Sequence, residues 1–201
     1  MDAVEYVNKI AYDFEDSLQY LNSSLKITEK NNLEILKVKV SILTLGTYIE
    51  NRTYDLIVQI LNRSKDDILS EFLINQALNR KFHTMFDFKS LNIKKFLKLF
   101  GQPFSDYICS MISDDEEFSR SIECFMLISS KRNILAHDNF YISSIDFTFD
   151  EIINKAKYIN IFFLKFLEYA EKYINNSSFA STSIKKGIIG TVPLETENSL
   201  L

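Results

Sequence analysis

The stretch LKVKVSILTLGTYIENRTYDLI, residues 36–57, decides the fold class of this chain. It belongs to a longer run, from residue 33 to about residue 62, in which apolar residues recur three to four positions apart along one flank and also occur around it. A helix that is apolar on most sides is typical of the centre of a helical bundle. Gly46 within the run costs up to about 1 kcal/mol relative to alanine, and it would permit close approach of a neighbouring helix.

The amino-acid composition also favours helices. Only 4 of the 201 residues are glycine and 2 are proline, whereas 46% are hydrophobic. Because so few residues favour tight turns, the helices should be long, and the length of the chain suits one domain with a single core. We predict an all-α bundle of about five to seven helices over residues 1–175, followed by a polar, mobile tail over residues 176–201.

Apolar spacing and end signals predict the other helices. They cover residues 3 to about 22, 66–80, 90–101 and 116–136. In the last of these helices, the apolar period predicts four residues that face the core: Ile122, Phe125, Met126 and Ser129. Gly101 and Pro103 are stop signals for the helix over residues 90–101. Thr148 and Glu151 have the spacing of a capping box, from which a closing helix runs to about residue 174.

Charge, cysteine usage and hydropathy limit the kinds of protein that this chain can be. A net charge of −4 and a pI near 5.3 argue against broad nucleic-acid coating, which depends on many phosphate contacts. Cys109 and Cys124 have neither metal-site nor disulfide spacing, so we expect free thiols and no metal or other cofactor. The first residues are acidic and amphipathic, unlike a signal peptide, and the apolar residues 158–170 are interrupted by charge and too few to span a bilayer. A soluble, cytoplasmic protein is expected.

The stretch KRNILAHDNF, residues 131–140, contains the residues with the most distinctive chemistry. At about 100° per residue, Asn133 and His137 share one helix face, and Arg132 lies one step round from Asn133. Arginine can bind two phosphate oxygens and neutralise charge that grows in a transition state, while histidine can transfer a proton near neutral pH. RNA supplies its own nucleophile, the 2′-hydroxyl, so cleavage at such a site needs no metal.

The same spacing also has a structural interpretation. An arginine and a histidine lie close together by chance in many helices, and a cation near a helix C-terminus complements the helix dipole. Spacing alone leaves both interpretations open. The other histidine of the chain, His83, has no motif around it, and we assign it a structural role.

A cluster of lysines is a local exception to the acidic balance. Lys94 and Lys98 lie four positions apart on one face of the predicted helix over residues 90–101, with Lys95 beside them. This basic face is either the solvated side of an amphipathic helix, which is the commoner case, or a track for an RNA backbone. Lys131, directly before the motif, is a further candidate for RNA contact.

The sequence RNILAH, residues 132–137, ends the penultimate helix of a small all-α chain and resembles the R-x4-6-H motif of the HEPN superfamily. The helix over residues 36–57 and the closing pair of helices are similar in pattern to small stand-alone bacterial HEPN proteins, including the RiboL-PSP type. The resemblance covers residues 3 to about 174, and the six-residue motif is its specific element. It implies a HEPN-like bundle that dimerises, so that two motifs meet in one cleft, and metal-independent endoribonuclease activity that leaves a 2′,3′-cyclic phosphate.

The resemblance also implies roles for individual residues. Arg132 would steady the scissile phosphate, His137 would transfer a proton, and Asn133 would position one of them. Glu50 matches a polar position in the second helix that faces the motif; it either orients Arg132 or His137 or is an exposed helix carboxylate. Asn139 stands where some toxins of the family carry a tyrosine that an antitoxin modifies, which argues against that mode of control.

We therefore expect a toxin or phage-defence effector that acts on RNA as a homodimer, with an antitoxin or a larger defence complex as a candidate partner. The alternative is a non-catalytic module of the same fold, which dimerises or binds nucleotide or RNA without cutting it. A purely structural helical interaction protein is a third possibility. Cleavage of RNA separates the first of these from the other two.

Overall fold

The computed structural model describes residues 1–62, 82–137, 140 and 142–188, with side chains up to residue 176. Most of this part of the chain is α-helical, and a short 3-10 helix spans Lys98–Phe100. The α-helices are α1 (Ala3–Ser23), α2 (Ile27–Asn62), α3 (Phe82–Met85), α4 (Lys94–Leu97), α5 (Gln102–Asp114), α6 (Glu116–His137) and α7 (Phe149–Ile188). The prediction of an all-α bundle is confirmed, whereas the predicted helix over residues 66–80 lies outside the described residues.

Helix α2 lies at the centre of the bundle, where it packs against α1, α6 and α7. Ile42, Leu45 and Ile49 in its middle are fully buried, so the predicted central position is confirmed. The helix begins at Ile27 and not near residue 33. Its first turns are mostly polar and exposed, and they therefore carry no apolar period that the sequence could reveal.

An aromatic core holds α6 against α7. The ring centroid of Phe125 lies 4.3 Å from that of Phe162, and Phe118 stacks on the same ring at 6.4 Å. Such pairs contribute roughly 0.5–1.5 kcal/mol each beyond the area that they bury. The four residues of α6 predicted to face inward are all buried: Ile122, Phe125, Met126 and Ser129. This packing fixes the position of α6 and hence of the motif at its C-terminal end.

The segment between α3 and α5 differs from the single helix predicted over residues 90–101. The carboxylate of Asp87 accepts hydrogen bonds from the backbone N–H groups of Lys89 and Ser90, at 3.1 and 3.3 Å. Leu91 then adopts a positive φ of 51°. Side chains that bond to nearby backbone groups compete with helix formation, and here they delay the start of α4.

Helix α5 begins at the residues that the sequence indicates only as the end of the preceding helix. Gly101, with a φ of 94°, ends the 3-10 helix, and Pro103 lies in the first turn of α5. Proline is tolerated there because the first N–H groups of a helix have no partner within it. Pro103 therefore favours the start of α5 as well as the end of the preceding helix.

Helix α7 begins as predicted and ends later. The backbone N–H of Thr148 donates to the Glu151 carboxylate at 2.7 Å, and the N–H of Glu151 donates to the Thr148 hydroxyl at 3.3 Å. The helix continues to Ile188, past the predicted end near residue 174 and into the predicted tail, of which residues 189–201 lie outside the described residues. In the described part of the chain, no helix combines the length and the apolarity needed to cross a membrane.

Asp115 ties the start of α6 to α7. Its carboxylate accepts a hydrogen bond from the backbone N–H of Phe118 at 2.9 Å, and it accepts two from the Lys165 ammonium at 2.8 and 2.7 Å. The Tyr169 hydroxyl donates to it at 2.6 Å. These bonds, that of Lys165 foremost, lower the pKa of Asp115 to about 2, and the bond to Asp115 raises the pKa of Tyr169 to about 12.

We predict that Asp115 contributes stability that disappears in acid. Because its folded pKa of about 2 lies below the ordinary 3.8, this stability is complete above about pH 4 and is lost as the pH falls toward about 2. Asp115→Asn, which can still cap α6, should lower the free energy of unfolding by about 1–2 kcal/mol at neutral pH. Urea denaturation from neutral pH downward measures this difference, which should shrink below about pH 4.

Asp114→Asn is the matched control for this prediction, because Asp114 is the exposed neighbour of Asp115 at the same helix junction. It should leave the free energy of unfolding within about 0.5 kcal/mol of wild type at every pH. A deficit of Asp115→Asn that stays constant as the solution is acidified would contradict the assignment of the pH dependence to Asp115.

Candidate functional site

Helices α2 and α6 cross where Gly46 faces Arg132. A Cβ atom on Gly46 would lie 2.2 Å from Cγ of Arg132 and 2.7 Å from its Cβ, closer than real side chains approach one another. Only a hydrogen atom fits there, so the arginine side chain passes directly over the α2 backbone. The predicted close approach at Gly46 is confirmed, and the residue that approaches is the arginine of the motif.

One turn further along α2, Glu50 meets the end of the same arginine. Nη2 of Arg132 lies 3.3 Å from Oε2 of Glu50, and the two side chains are 20% and 24% exposed. Tyr54, another turn along, donates its hydroxyl to Oε1 of Glu50 at 3.4 Å. Burial, followed by the charge of Glu50, raises the pKa of Tyr54 and keeps this donor protonated. Glu50 therefore pairs with Arg132 and is not a solvated helix carboxylate.

The other two residues of the motif lie at the same end of α6. Asn133 is half-buried, and its Oδ1 accepts a long hydrogen bond of 3.4 Å from Nη1 of Arg132. His137 is the last residue of α6 and is exposed to solvent. The structure thus places Asn133 and Glu50 in contact with Arg132, whereas His137 is exposed at the end of the same helix.

The structure adds His83, for which the sequence indicates only a structural role. Nε2 of His83 lies 3.0 Å from Nη1 of Arg132, and the ring centroids of His83 and His137 are 6.0 Å apart in an edge-to-face arrangement. The rings of Phe82 and Phe88 pack around His83, with centroids 5.7 and 6.5 Å from its own. His83 therefore contacts both Arg132 and the ring of His137, the other histidine of the chain.

No local pattern in the sequence identifies His83 as part of the site. It lies 49 positions from Arg132 along the chain, on the four-residue helix α3. The one signal in the sequence is the scarcity of histidine, since the chain has only two. Tertiary packing, and not spacing, brings them together.

Arg132 determines which tautomer and which protonation state of His83 are present. A guanidinium has donors and no acceptor, so Nε2 of His83 must accept the hydrogen bond and the imidazole proton must be on Nδ1. Burial and then the positive charge of Arg132 lower the pKa of His83; His137 acts in the same direction, and the charge of Glu50 opposes them. His83 is therefore a neutral base at neutral pH.

The basic face belongs to the same segment of chain as His83. Its three exposed residues are Lys94, Lys95 and Lys98. They border a surface depression of about 460 Å³ that also includes Asp87. Asp87 directly precedes Phe88, whose ring contacts His83. The depression therefore borders the segment of chain that packs against His83.

Lys131, which directly precedes Arg132, contacts a different segment of the chain. Lys131 is half-buried, and its Nζ lies 5.9 Å over the ring of Phe147, in the connection that precedes α7. Cys109 and Cys124 are free thiols, as expected. Among the residues that the structure describes, no three His, Cys, Asp or Glu side chains converge so as to hold a metal ion.

The arrangement joins the Arg132 guanidinium to His83, and His83 to His137, at a surface that solvent reaches. A guanidinium oriented by Glu50 can bind anionic oxygens, and the neutral imidazole of His83 beside it can accept a proton. Charge stabilisation and proton transfer are two of the contributions by which enzymes catalyse group transfer. Comparisons with protein-family models, with curated proteins and with solved structures find no match for this chain.

Proposed function

We propose that this protein is a metal-independent endoribonuclease in which Arg132 and His137 act on the scissile phosphate of RNA. The observation that carries the proposal is the contact group at the end of α6, where the Arg132 guanidinium is paired with Glu50 and lies beside exposed imidazole. The resemblance of residues 132–137 to the R-x4-6-H motif supports the same reaction.

The chemistry follows from the charges involved. The 2′-hydroxyl of RNA attacks the adjacent phosphorus, and negative charge grows on the non-bridging oxygens of the phosphate. Arg132 can bind these oxygens through two N–H groups and stabilise that charge. His137 takes part in proton transfer, and Glu50 and Asn133 restrict the guanidinium to one orientation. The products would be a 2′,3′-cyclic phosphate and a 5′-hydroxyl.

The proposal extends to a homodimer, in which the exposed His137 of two chains would face one cleft, and to the role of a toxin or defence effector with a protein partner that restrains it. The exposure of His137 to solvent agrees with a site completed by a second chain. Both extensions rest on the resemblance of the motif.

The direct test is incubation of the purified protein with RNA in the presence of a chelator. We expect RNA fragments with 2′,3′-cyclic phosphate ends, no cleavage of the same sequence made of DNA, and no cleavage by His137→Ala purified in parallel. Measurement of the mass in solution on the same samples tests the dimer. If RNA stays intact, or if wild type and His137→Ala cut it equally, the nuclease proposal fails and the non-catalytic module replaces it.

We also predict that the basic face contributes to RNA binding. Replacing Lys94, Lys95 and Lys98 with alanine should reduce the slope of log Kd against log salt concentration by about 2, since each phosphate contact on a single strand contributes about 0.7. Binding should weaken to a similar degree on unrelated RNA sequences, because phosphate contacts carry no sequence information. Filter binding or fluorescence anisotropy over a range of salt concentrations measures the slope.

The matched control replaces three exposed lysines elsewhere and therefore changes the net charge by the same amount. These lysines are Lys9 on α1, Lys26 in the turn after α1 and Lys157 on α7. Equal effects of the two triple variants would show that total charge, and not the basic face, governs binding.

A further inference from the structure

We propose that His83 is a second catalytic residue, which acts as general base toward the 2′-hydroxyl while His137 acts as general acid toward the leaving 5′-oxygen. This inference rests on the proposed endoribonuclease function and deepens it, because it divides the proton transfers between two side chains of one chain. His83 lies outside the arginine–histidine motif that supports the proposed function.

The geometry of the reaction requires two proton-transfer groups. The attacking and leaving oxygens lie on opposite sides of the phosphorus in an in-line displacement, so one imidazole cannot serve both of them in a single step. In the structure, His83 and His137 have ring centroids 6.0 Å apart, and Arg132, the group that would bind the phosphate, contacts His83 at 3.0 Å. A phosphodiester bound to Arg132 would therefore lie beside His83, with the ring of His137 centred 6.0 Å from that of His83.

The protonation state of His83 suits a base. Its Nε2 accepts a hydrogen bond from Arg132, which leaves the lone pair on Nε2 and the proton on Nδ1. The charged and titratable groups that face it are Arg132 and His137 from α6 and Glu50 from α2; burial and the charge of Arg132 outweigh Glu50 and lower the pKa of His83. When phosphate oxygens take the donor from Arg132, the lone pair of Nε2 becomes available.

The step balances without any further reactant. The proton of the 2′-hydroxyl passes to Nε2 of His83 as the bond from the 2′-oxygen to phosphorus forms. The bond from phosphorus to the 5′-oxygen breaks, and that oxygen takes a proton from protonated His137. His83 ends protonated and His137 neutral, and exchange with water restores both. A histidine that only oriented Arg132 would have no part in these transfers, which makes the two roles separable.

The first experiment replaces His83 with glutamine, whose side-chain oxygen can still accept a hydrogen bond from Arg132 but cannot take up a proton. We expect kcat to fall by roughly 10²–10⁴-fold with little change in KM. The pH–rate profile should also lose its acidic limb, which in wild type reflects protonation of His83 and lies below 6.5, the ordinary pKa of histidine. Thr84→Ala, at the exposed neighbouring position, is the control and should keep the wild-type profile.

The second experiment assigns the two roles with an RNA whose bridging 5′-oxygen is replaced by sulfur. A thiolate leaves without protonation, so His137→Ala should cut this substrate at nearly the wild-type rate, whereas His83→Gln should remain slow. If wild type cuts RNA and His83→Gln keeps both its rate and its acidic limb, the inference is overturned while the proposed function stands. The assignment is also overturned if sulfur rescues His83→Gln and not His137→Ala. If wild type cuts no RNA, the proposed function fails and the inference fails with it.

Discussion

Arg132→Ala is expected to lower kcat/KM for RNA cleavage by about 10³-fold, because it removes the group that would bind the scissile phosphate. A preorganised donor aimed at charge that develops in a transition state contributes about 2.7–4 kcal/mol, and the substitution also leaves the Glu50 carboxylate without its partner beside the substrate. The new negative field would repel the phosphate, so binding of RNA should weaken as well.

Arg132→Lys should be nearly as inactive. The planar guanidinium contacts Glu50 through Nη2 and His83 through Nη1 at the same time, and a single ammonium group cannot reproduce that fork. Single-turnover kinetics of the variants measures the loss of the chemical step apart from product release.

Arg52→Ala is the control for these variants. Arg52 lies on α2 and pairs with the carboxylate of Asp55 at 3.4 Å, not with the motif. The control variant should retain the wild-type rate of cleavage. Retention of full activity by Arg132→Ala or Arg132→Lys would remove the guanidinium from the mechanism.

Gly46→Ala is expected to damage both the fold and the site. The added methyl group would lie 2.2 Å from Cγ of Arg132 and 2.7 Å from its Cβ. Because the second of these atoms is attached to the α6 backbone, rotation of the side chain cannot remove the overlap, and the two helices must move apart. Overpacking of this kind costs roughly 1–3 kcal/mol, against which the higher helix propensity of alanine returns up to about 1 kcal/mol.

The same displacement moves the guanidinium away from Glu50 and His83, so cleavage should fall by about 10²-fold even in the fraction that remains folded. Urea denaturation and cleavage assays on the same preparation measure the two effects. Thr47→Ala, at the adjacent exposed position of α2, is the control and should change neither.

A double-mutant cycle tests the cause that we assign to the effect of Gly46→Ala. Combining Gly46→Ala with Arg132→Ala removes Cγ and Cδ of the arginine and should recover part of the lost stability, because the closest overlap disappears. Strictly additive losses of stability in the double variant would show that steric overlap with Arg132 is not the cause of the Gly46→Ala effect.

Local sequence patterns were sufficient to predict the elements that depend on residues close together in the chain. The apolar period of α2 predicts a central helix because burial on most sides leaves little room for polar residues, and the inward positions of α6 follow from the same rule. The capping box at Thr148 was predictable because its bonds join residues three positions apart. The spacing of Asn133 and His137 likewise follows from the helical repeat.

The segment before α5 shows where local patterns fail. Its apolar spacing fits a helix from residue 90, but the Asp87 carboxylate bonds to the next backbone N–H groups and holds them in turns. The predicted helix is therefore reduced to α4 and a 3-10 turn. Apolar periodicity cannot show whether the backbone forms helical hydrogen bonds or bonds to a nearby side chain, because the two have similar energies.

The amino-acid pattern is enough to predict a helical bundle, its central helix α2, and an arginine, an asparagine and a histidine at the end of the penultimate helix. The contacts of that arginine depend on how the helices pack. Gly46 lets α6 approach α2 closely enough for Arg132 to reach Glu50, and the short helix α3 brings His83 to the same guanidinium. These contacts join residues far apart in the chain, and they depend on how helices cross, which no spacing within one helix encodes.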